Sequence, residues 1–214
     1  MKLFGYFRSS TSYRLRIALN LKGLDYEYVP VSLIKSEQKA GDYVARDPFA
    51  SVPLLEADGR DRAQSMAQLE WLEEAYPEPP LLPTGREDRF TARELAYAIA
   101  TETHAPNNLQ VLNYLKSEFG ASQDQISAWY RHWLNRTFAP IEHRLGEYGA
   151  GDFLFDAPGL FEVVLLPQVY NAERFDLDFA PYPHMRRIAD ACLKLDTFRR
   201  AHPDAQPDNP EKQP

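Results

Sequence analysis

Four hydroxyl side chains in a row follow a short apolar segment and lead into a helix; they are Ser9, Ser10, Thr11 and Ser12. The first N–H groups of a helix lack backbone partners and the helix dipole is positive there, so the pattern predicts a site for an anion or a thiolate. An ordinary helix cap that binds nothing is the alternative interpretation. The single cysteine, Cys192, lies far along the chain. A sulfur activated at this site must therefore arrive on a ligand.

The elements that would position these hydroxyls predict an α/β domain over residues 1–83. Strand and helix signals follow the order β-α-β-α-β-β-α, which predicts an α/β sandwich of four strands. An Asp58-Gly59 turn between two short strands is typical of a hairpin. Gly23 is placed to end the first helix. The side chains of that helix expected to face inward are Leu15, Ala18, Leu19 and Leu21. The expected strands lie at about 3–7, 26–31, 52–56 and 60–63, and further helices at about 36–45 and from 65 onward.

The remainder of the chain predicts a second domain, all-helical, over residues 84–214. A stretch with four prolines, residues 76–83, is typical of a linker. Helical periodicity then dominates over about 86–118, 123–147, 159–173 and 183–201. The last residues, 203–214, are rich in proline and polar side chains. We expect them to form a mobile or surface-laid tail.

The composition excludes several classes of function. A net charge of −7 argues against nucleic acid as the main partner. The chain is 44% hydrophobic but has no apolar run approaching the ~20 residues of a membrane span. One cysteine and a start unlike a signal peptide predict a cytoplasmic protein. The histidines show no spacing typical of metal ligands, so we expect no metal.

Further segments extend the hydroxyl motif into a pattern that covers nearly the whole chain. They are residues 7–19, residues 47–48 with 52–53, residues 64–65 with 70–74, and residues 166–175, and the closing residues 202–203 and 206–208 fit as well. In this order and spacing the sequence resembles the glutathione S-transferase superfamily and, within it, the zeta class of maleylacetoacetate and maleylpyruvate isomerases. The resemblance implies a thioredoxin-like glutathione-binding domain followed by an all-helical domain. It also implies glutathione as cofactor, a small diacid substrate and a homodimer.

The resemblance assigns roles to individual residues of this chain. The catalytic residues are Ser9, Ser10 and Thr11, with Ser9 donating a hydrogen bond to the glutathione thiolate. The residues that would contact glutathione are Ser9, Val52, Gln64, Ser65, His104, Asn107 and Asn108. Arg8 and Arg174 would bind substrate carboxylates, because guanidinium groups suit bidentate carboxylate binding. The alternatives are surface or interdomain salt bridges for the two arginines and a purely structural role for His104.

Two of these assignments carry a specific structural expectation. A cis peptide bond at Val52-Pro53 would leave the Val52 N–H and C=O free to pair with a peptide backbone; a trans proline entering an edge strand is the alternative. Ser65 would cap the helix that it begins while accepting the γ-glutamyl carboxylate of glutathione.

The sequence departs from the family at four positions. Thr11 stands where many zeta enzymes carry cysteine, and it cannot form a mixed disulfide. Gln68 replaces an apolar residue, and we expect it to alter packing or a subunit contact. Gln110 replaces an arginine, which leaves the identity of the diacid open. Gly159 replaces a capping threonine, so that only Glu162 can supply one of the two bonds of a capping box, at a cost of roughly 0.5–1 kcal/mol.

The reaction implied by the resemblance is glutathione-dependent cis–trans isomerisation in aromatic or tyrosine catabolism. Addition of a thiolate to a cis double bond conjugated to carbonyls makes it a single bond, and rotation and expulsion of the thiolate give the trans isomer. Two alternatives remain: a transferase that conjugates glutathione to haloacids or other electrophiles, and a non-catalytic glutathione-binding or interaction protein built on this fold.

Overall fold

A four-stranded mixed sheet forms the centre of the N-terminal part in the computed structural model, which describes residues 1–212. The strands are β1 (Lys2–Gly5), β2 (Glu27–Pro30), β3 (Leu54–Ala57) and β4 (Arg60–Arg62), in the spatial order β2-β1-β3-β4. β1 pairs parallel with β2 and antiparallel with β3, and β3 pairs antiparallel with β4. Leu54 and Leu55 are adjacent in β3 and both fully buried, so the sheet is covered on both of its faces at this strand. The predicted order of strands and helices and the hairpin are confirmed.

The helices of this part are α1 (Ser10–Leu21), α2 (Gly41–Val44) and α3 (Ser65–Ala75). The helix expected at 36–45 is a 3₁₀ turn, Glu37–Lys39, followed by α2. The first strand ends earlier than expected, because the Ser9 N–H donates to the Tyr6 carbonyl at 3.0 Å and closes a turn over residues 7 and 8. Gly5 precedes that turn, and a Cβ there would lie 3.1 Å from the Ser12 hydroxyl and from the Tyr28 ring.

Helix α1 is buried on more than the face that its periodicity indicated. Leu15, Ala18 and Leu19 are buried as expected, but Arg14 and Arg16 are only 1% and 0% exposed. Arg16 lies against α9 (Asp196–Ala201), which packs on α1 and accepts a hydrogen bond from Arg16, whereas Arg14 lies against Ser65 at the start of α3. An amphipathic pattern therefore understated the burial of this helix.

The helical part contains α4 (Arg86–Ala98), a π-helix (Ile99–His104), α5 (Leu109–Phe119), α6 (Gln123–Glu147), α7 (Leu160–Arg174) and α8 (Pro183–Lys194). The helix expected over 86–118 is interrupted at residues 105–108, where Pro106 has no N–H to continue the ladder. The helix expected over 183–201 is divided at Leu195, which has an extended backbone. In the part of the chain that the structure describes, no helix is both long enough and apolar enough to cross a membrane.

The chain divides into two compact units, and the last segment belongs to the first of them. Unit 1 is Met1–Leu81 together with the chain from Leu193 onward, and unit 2 is Leu82–Cys192. The sequence instead placed everything after residue 83 in the second domain. Of the two forms expected for the tail, its described part is laid on unit 1, with two 3₁₀ turns (Pro203–Ala205 and Pro210–Lys212) and buried side chains at Gln206 and Asn209.

Candidate active site

Ser9 caps helix α1, as its position in the hydroxyl run predicted. Its backbone is extended, at φ −68° and ψ 122°, and its Oγ accepts the Ser12 N–H at 3.2 Å. Ser10 is the first residue of the helix and is buried. The half-buried Ser9 hydroxyl thus lies at the positive end of the helix, where a negative charge is stabilised.

A chain of hydroxyl groups joins Ser9 to the loop before β3. The Ser9 and Thr11 hydroxyl oxygens are 2.8 Å apart, and the Thr11 hydroxyl donates to the Val52 carbonyl oxygen at 2.8 Å. A threonine hydroxyl has one proton. Because Val52 takes that proton, the Ser9 hydroxyl must be the donor to Thr11. A thiolate at this site would receive the Ser9 proton only by turning the hydroxyl away from Thr11.

The Val52-Pro53 peptide bond is cis, as expected. Upstream, the buried Asp47 carboxylate shapes the loop by accepting the Phe49 and Ser51 N–H groups, each at 3.0 Å. The Val52 carbonyl is shared with Thr11 and is not free as the sequence predicted, although a carbonyl oxygen has a second lone pair for a ligand.

Gln68 supports the same loop from α3. It is 1% exposed, and its amide nitrogen donates to the carbonyl oxygens of Pro53 at 3.0 Å and Arg62 at 2.6 Å. The Gln68 amide, which stands where the family has an apolar residue, therefore makes its hydrogen bonds within unit 1. It connects α3 to the residue that follows Val52.

Gln64 and Ser65 begin helix α3 in a different way from the one expected. Gln64 is the N-cap residue, and its side chain makes no capping bond. Its φ of 68° and ψ of 101° are unusual for a residue with a side chain and cost of order 1–3 kcal/mol, a kind of strain found at binding sites. Ser65 is the first helical residue, and its hydroxyl accepts from Arg14 Nη1 at 3.2 Å. Arg14 thus places a buried positive charge beside the position predicted to receive a carboxylate.

Arg8 is exposed at the turn before Ser9. Its guanidinium lies 5.7 Å from the centre of the Phe7 ring, and it forms no salt bridge with any carboxylate in residues 1–212. Of the two roles that the sequence allowed, binding a carboxylate from outside the chain is the one this placement favours.

Four candidate residues lie in unit 2. His104 ends the π-helix and is half-buried. Asn107 is buried and donates its amide to the Tyr130 carbonyl at 3.3 Å, while Asn108 caps α5 by accepting the Gln110 N–H at 3.0 Å. The side chains of both asparagines therefore make hydrogen bonds that stabilise the segment between the π-helix and α5. Arg174 is the exposed last residue of α7, 6.0 Å from the Tyr170 ring.

The protein's own cysteine is unsuited to act as a nucleophile. Cys192 is fully buried on α8, and burial, with a smaller contribution from Glu162, raises the pKa of its thiol well above the ordinary value. Within residues 1–212 no three potential metal-ligating side chains come together. Any thiolate bound at the start of α1 would therefore have to come from a ligand.

Comparison with known proteins matches this geometry. Residues 1–74 match the family described as glutathione S-transferase, N-terminal domain. Maleylpyruvate isomerase of a Ralstonia species is 44% identical, over 98% of this chain and 100% of that protein. A solved holo structure of a maleylpyruvate isomerase, described as a bacterial glutathione S-transferase of the zeta class, has a TM-score of 0.95 at 44% identity, over 98% of this chain and 100% of that one. This chain is a zeta-class glutathione S-transferase.

A second solved structure shows what another zeta-like relative binds. The maleylacetoacetate isomerase of Methylobacterium extorquens AM1 was solved with malonate and glutathione bound. It is 36% identical to this chain, has a TM-score of 0.93, and the similarity covers 98% of this chain and 100% of that one.

Three residues that contact the surroundings of Ser9 and Ser65 were given no role by the sequence analysis. Arg14 and Arg16 fall on α1, where charged side chains ordinarily face solvent. Asp208 lies in the segment expected to be a tail, yet it accepts a hydrogen bond from the Phe7 N–H. The available signal for Arg14 and Arg16 was their place within residues 7–19, part of the pattern that carries the family resemblance.

Proposed function

We propose that this protein is a glutathione-dependent cis–trans isomerase that converts maleylpyruvate or maleylacetoacetate to its fumaryl isomer. The observation that carries the proposal is the hydroxyl chain from Ser9 through Thr11 to Val52 at the start of α1, next to the exposed guanidinium of Arg8, which forms no salt bridge within residues 1–212. The bound glutathione and malonate of the Methylobacterium relative support it, since malonate is a small dicarboxylate. We further propose that the enzyme is a cytoplasmic homodimer.

The residues of unit 1 fit glutathione. The strained Gln64 and the hydroxyl of Ser65, next to buried Arg14, suit the γ-glutamyl carboxylate. The Val52 backbone suits the peptide of glutathione, and His104, Asn107 and Asn108 are proposed as further contacts. When bound, glutathione supplies a thiolate that adds reversibly to the substrate double bond.

Side chains of the protein stabilise the negative charges of the thiolate and of the substrate. Ser9 turns its proton from Thr11 to the sulfur and so favours the thiolate. Arg8 and Arg174 bind the substrate carboxylates, and we propose that the Ser10 hydroxyl, on the first residue of α1, stabilises negative charge on a substrate oxygen.

The first prediction concerns the reaction itself. Purified protein should convert maleylpyruvate and maleylacetoacetate, followed by ultraviolet absorbance, only when glutathione is present. Total thiol should remain constant, because glutathione is returned unchanged. Loss of thiol without formation of the fumaryl isomer would instead identify a conjugating transferase, and failure to bind glutathione would favour a non-catalytic interaction protein built on this fold. The ratio of kcat/KM for the two diacids identifies the preferred substrate.

A second prediction tests the role of Thr11. Thr11→Val keeps the shape of the side chain but removes the hydroxyl that donates to Val52 and accepts from Ser9. We expect KM for glutathione to rise about three- to tenfold, since a hydrogen bond of this kind contributes about 0.5–1.5 kcal/mol, with a smaller change in kcat. Thr11→Ser, the matched control, should retain most of the affinity. A fall in kcat with unchanged KM would mean that Thr11 stabilises the transition state directly.

A further inference from the structure

The segment after α9 reaches the turn that leads into Ser9. The Phe7 N–H donates to Asp208 Oδ2 at 2.8 Å, and the Tyr28 hydroxyl donates to the same oxygen at 3.2 Å. Phe7 is only 7% exposed. A residue near the end of the chain therefore satisfies a backbone group two positions before Ser9.

The carbonyl of Phe7 is held as well. Arg16 Nη2 donates to it at 2.9 Å, and Arg16 Nε donates to the Ala201 carbonyl, the last residue of α9, at 2.8 Å. The guanidinium is fully buried, and burial lowers the pKa of Arg16 while the charge of Asp208 acts in the opposite direction. Both polar groups of Phe7 thus depend on residues fixed by the C-terminal segment.

The C-terminal segment is itself well anchored. The Gln206 amide donates to the carbonyl oxygens of Arg200 and His202, each at 2.9 Å, and Gln206 and Asn209 are buried on either side of Asp208. This anchoring fixes the carboxylate at the Phe7 N–H.

Phe7 and Arg8 are the central residues of the turn closed by the Ser9 N–H and the Tyr6 carbonyl. A rotation of the Phe7 peptide would move the Arg8 side chain and the Ser9 hydroxyl together. A displacement of about 1 Å at a catalytic group can lower a rate by about 100-fold. The hydrogen bonds to Phe7 therefore affect the positions of the Arg8 side chain and the Ser9 hydroxyl, the two groups to which the proposed reaction gives a role.

We propose that Asp208 is a positioning residue of the thiolate site, which together with Arg16 holds the Phe7 peptide so that Ser9 and Arg8 face their ligands. This inference rests on the proposed role of Ser9 as donor to the glutathione thiolate.

The test compares Asp208→Ala with Asp208→Asn and with Tyr28→Phe. Tyr28→Phe is the matched control, since it removes the other bond to Asp208 Oδ2 and leaves the bond to Phe7 intact. Two quantities are measured on folded full-length protein: the pKa of the bound glutathione thiol, from thiolate absorbance against pH, and kcat/KM.

Asp208→Ala should raise the pKa of the bound thiol and lower kcat/KM about tenfold. Asp208→Asn keeps an acceptor for the Phe7 N–H, but a weaker, neutral one. We therefore expect a smaller rise in the thiol pKa and a fall of about threefold in kcat/KM. Tyr28→Phe should match the wild type. If Asp208→Ala is too unstable to assay, Asp208→Asn decides the question.

Wild-type values of thiol pKa and kcat/KM in the Asp208 variants, whatever their melting temperatures, would overturn the inference. Ser9→Ala separates this result from a failure of the proposed function. If Ser9→Ala is impaired and the Asp208 variants are not, only the inference fails. If Ser9→Ala is itself unchanged, the assigned role of Ser9 is wrong.

Discussion

Replacing Ser9 with alanine should lower kcat/KM for isomerisation by about 10²- to 10³-fold, the usual effect of removing one donor to a developing or resident negative charge. The variant loses the hydroxyl that now donates to Thr11 and would turn to the thiolate. Without that donor the pKa of the bound thiol rises. The acidic limb of the kcat/KM profile should therefore move to higher pH.

The same substitution removes a helix cap, so a control for stability is needed. Ser122 caps α6 in unit 2 through a full capping box with Gln125. Ser122→Ala should cost about 1 kcal/mol in the free energy of unfolding, as Ser9→Ala also should, but leave kcat/KM unchanged. A Ser9→Ala enzyme whose kcat/KM and pH profile equal those of Ser122→Ala would contradict the proposed role of Ser9.

Local features of the fold could be predicted from the sequence because local chemistry determines them. The Asp58-Gly59 turn places positive φ at both residues, which is what the hairpin requires. Ser9 caps its helix through a bond to a residue three positions away. Neither feature depends on distant parts of the chain.

Features that depend on distant contacts could not be predicted in this way. Arg16 sits on a helix whose periodicity suggests a solvent face, and its burial follows from Ala201, nearly the length of the chain away. Asp208 lies in a segment whose composition is typical of tails. Its position is determined by the Phe7 N–H, which the composition does not reveal.

In the candidate site, too, the identity of key residues could be predicted from the sequence, but the contacts between distant residues could not. The sequence and its resemblance singled out Ser9, Thr11 and Val52, but not the direction of the protons that connect them. That direction follows from the Val52 carbonyl, which can only accept. Likewise, nothing in the pattern around Gln68 indicated that its amide would bind the carbonyl of Pro53.

The start of α7 carries the second large effect that we expect. Glu162 is 2% exposed, and its two carboxylate oxygens accept the N–H groups of Leu154 and Gly159, each at 2.8 Å. The bond to Gly159 is the half of the capping box that the sequence predicted, and glycine has no side chain for the other half. The bond to Leu154 was not predicted, and it ties the preceding apolar segment to the helix.

Glu162→Ala should lower the free energy of unfolding by about 2–5 kcal/mol, because it leaves two N–H donors without their acceptor and each costs about 1–3 kcal/mol. Glu162→Gln, similar in shape, retains one acceptor oxygen and should lose about half as much. Denaturant unfolding with an unchanged m-value measures both changes. Losses below about 0.5 kcal/mol in both variants would mean that other groups or water satisfy these N–H groups.

The pH dependence gives an independent check of the same site. Burial raises the pKa of Glu162 in the folded protein, against the lowering effect of its backbone bonds. A carboxyl group whose pKa is higher in the folded than in the unfolded state stabilises the fold fully below its unfolded pKa and loses that contribution as pH rises through the folded value. Glutamine does not titrate, so the stability advantage of wild type over Glu162→Gln should shrink as pH rises from about 4 towards neutrality. An advantage that grows over this range would mean that the two backbone N–H groups outweigh the cost of burying the charge.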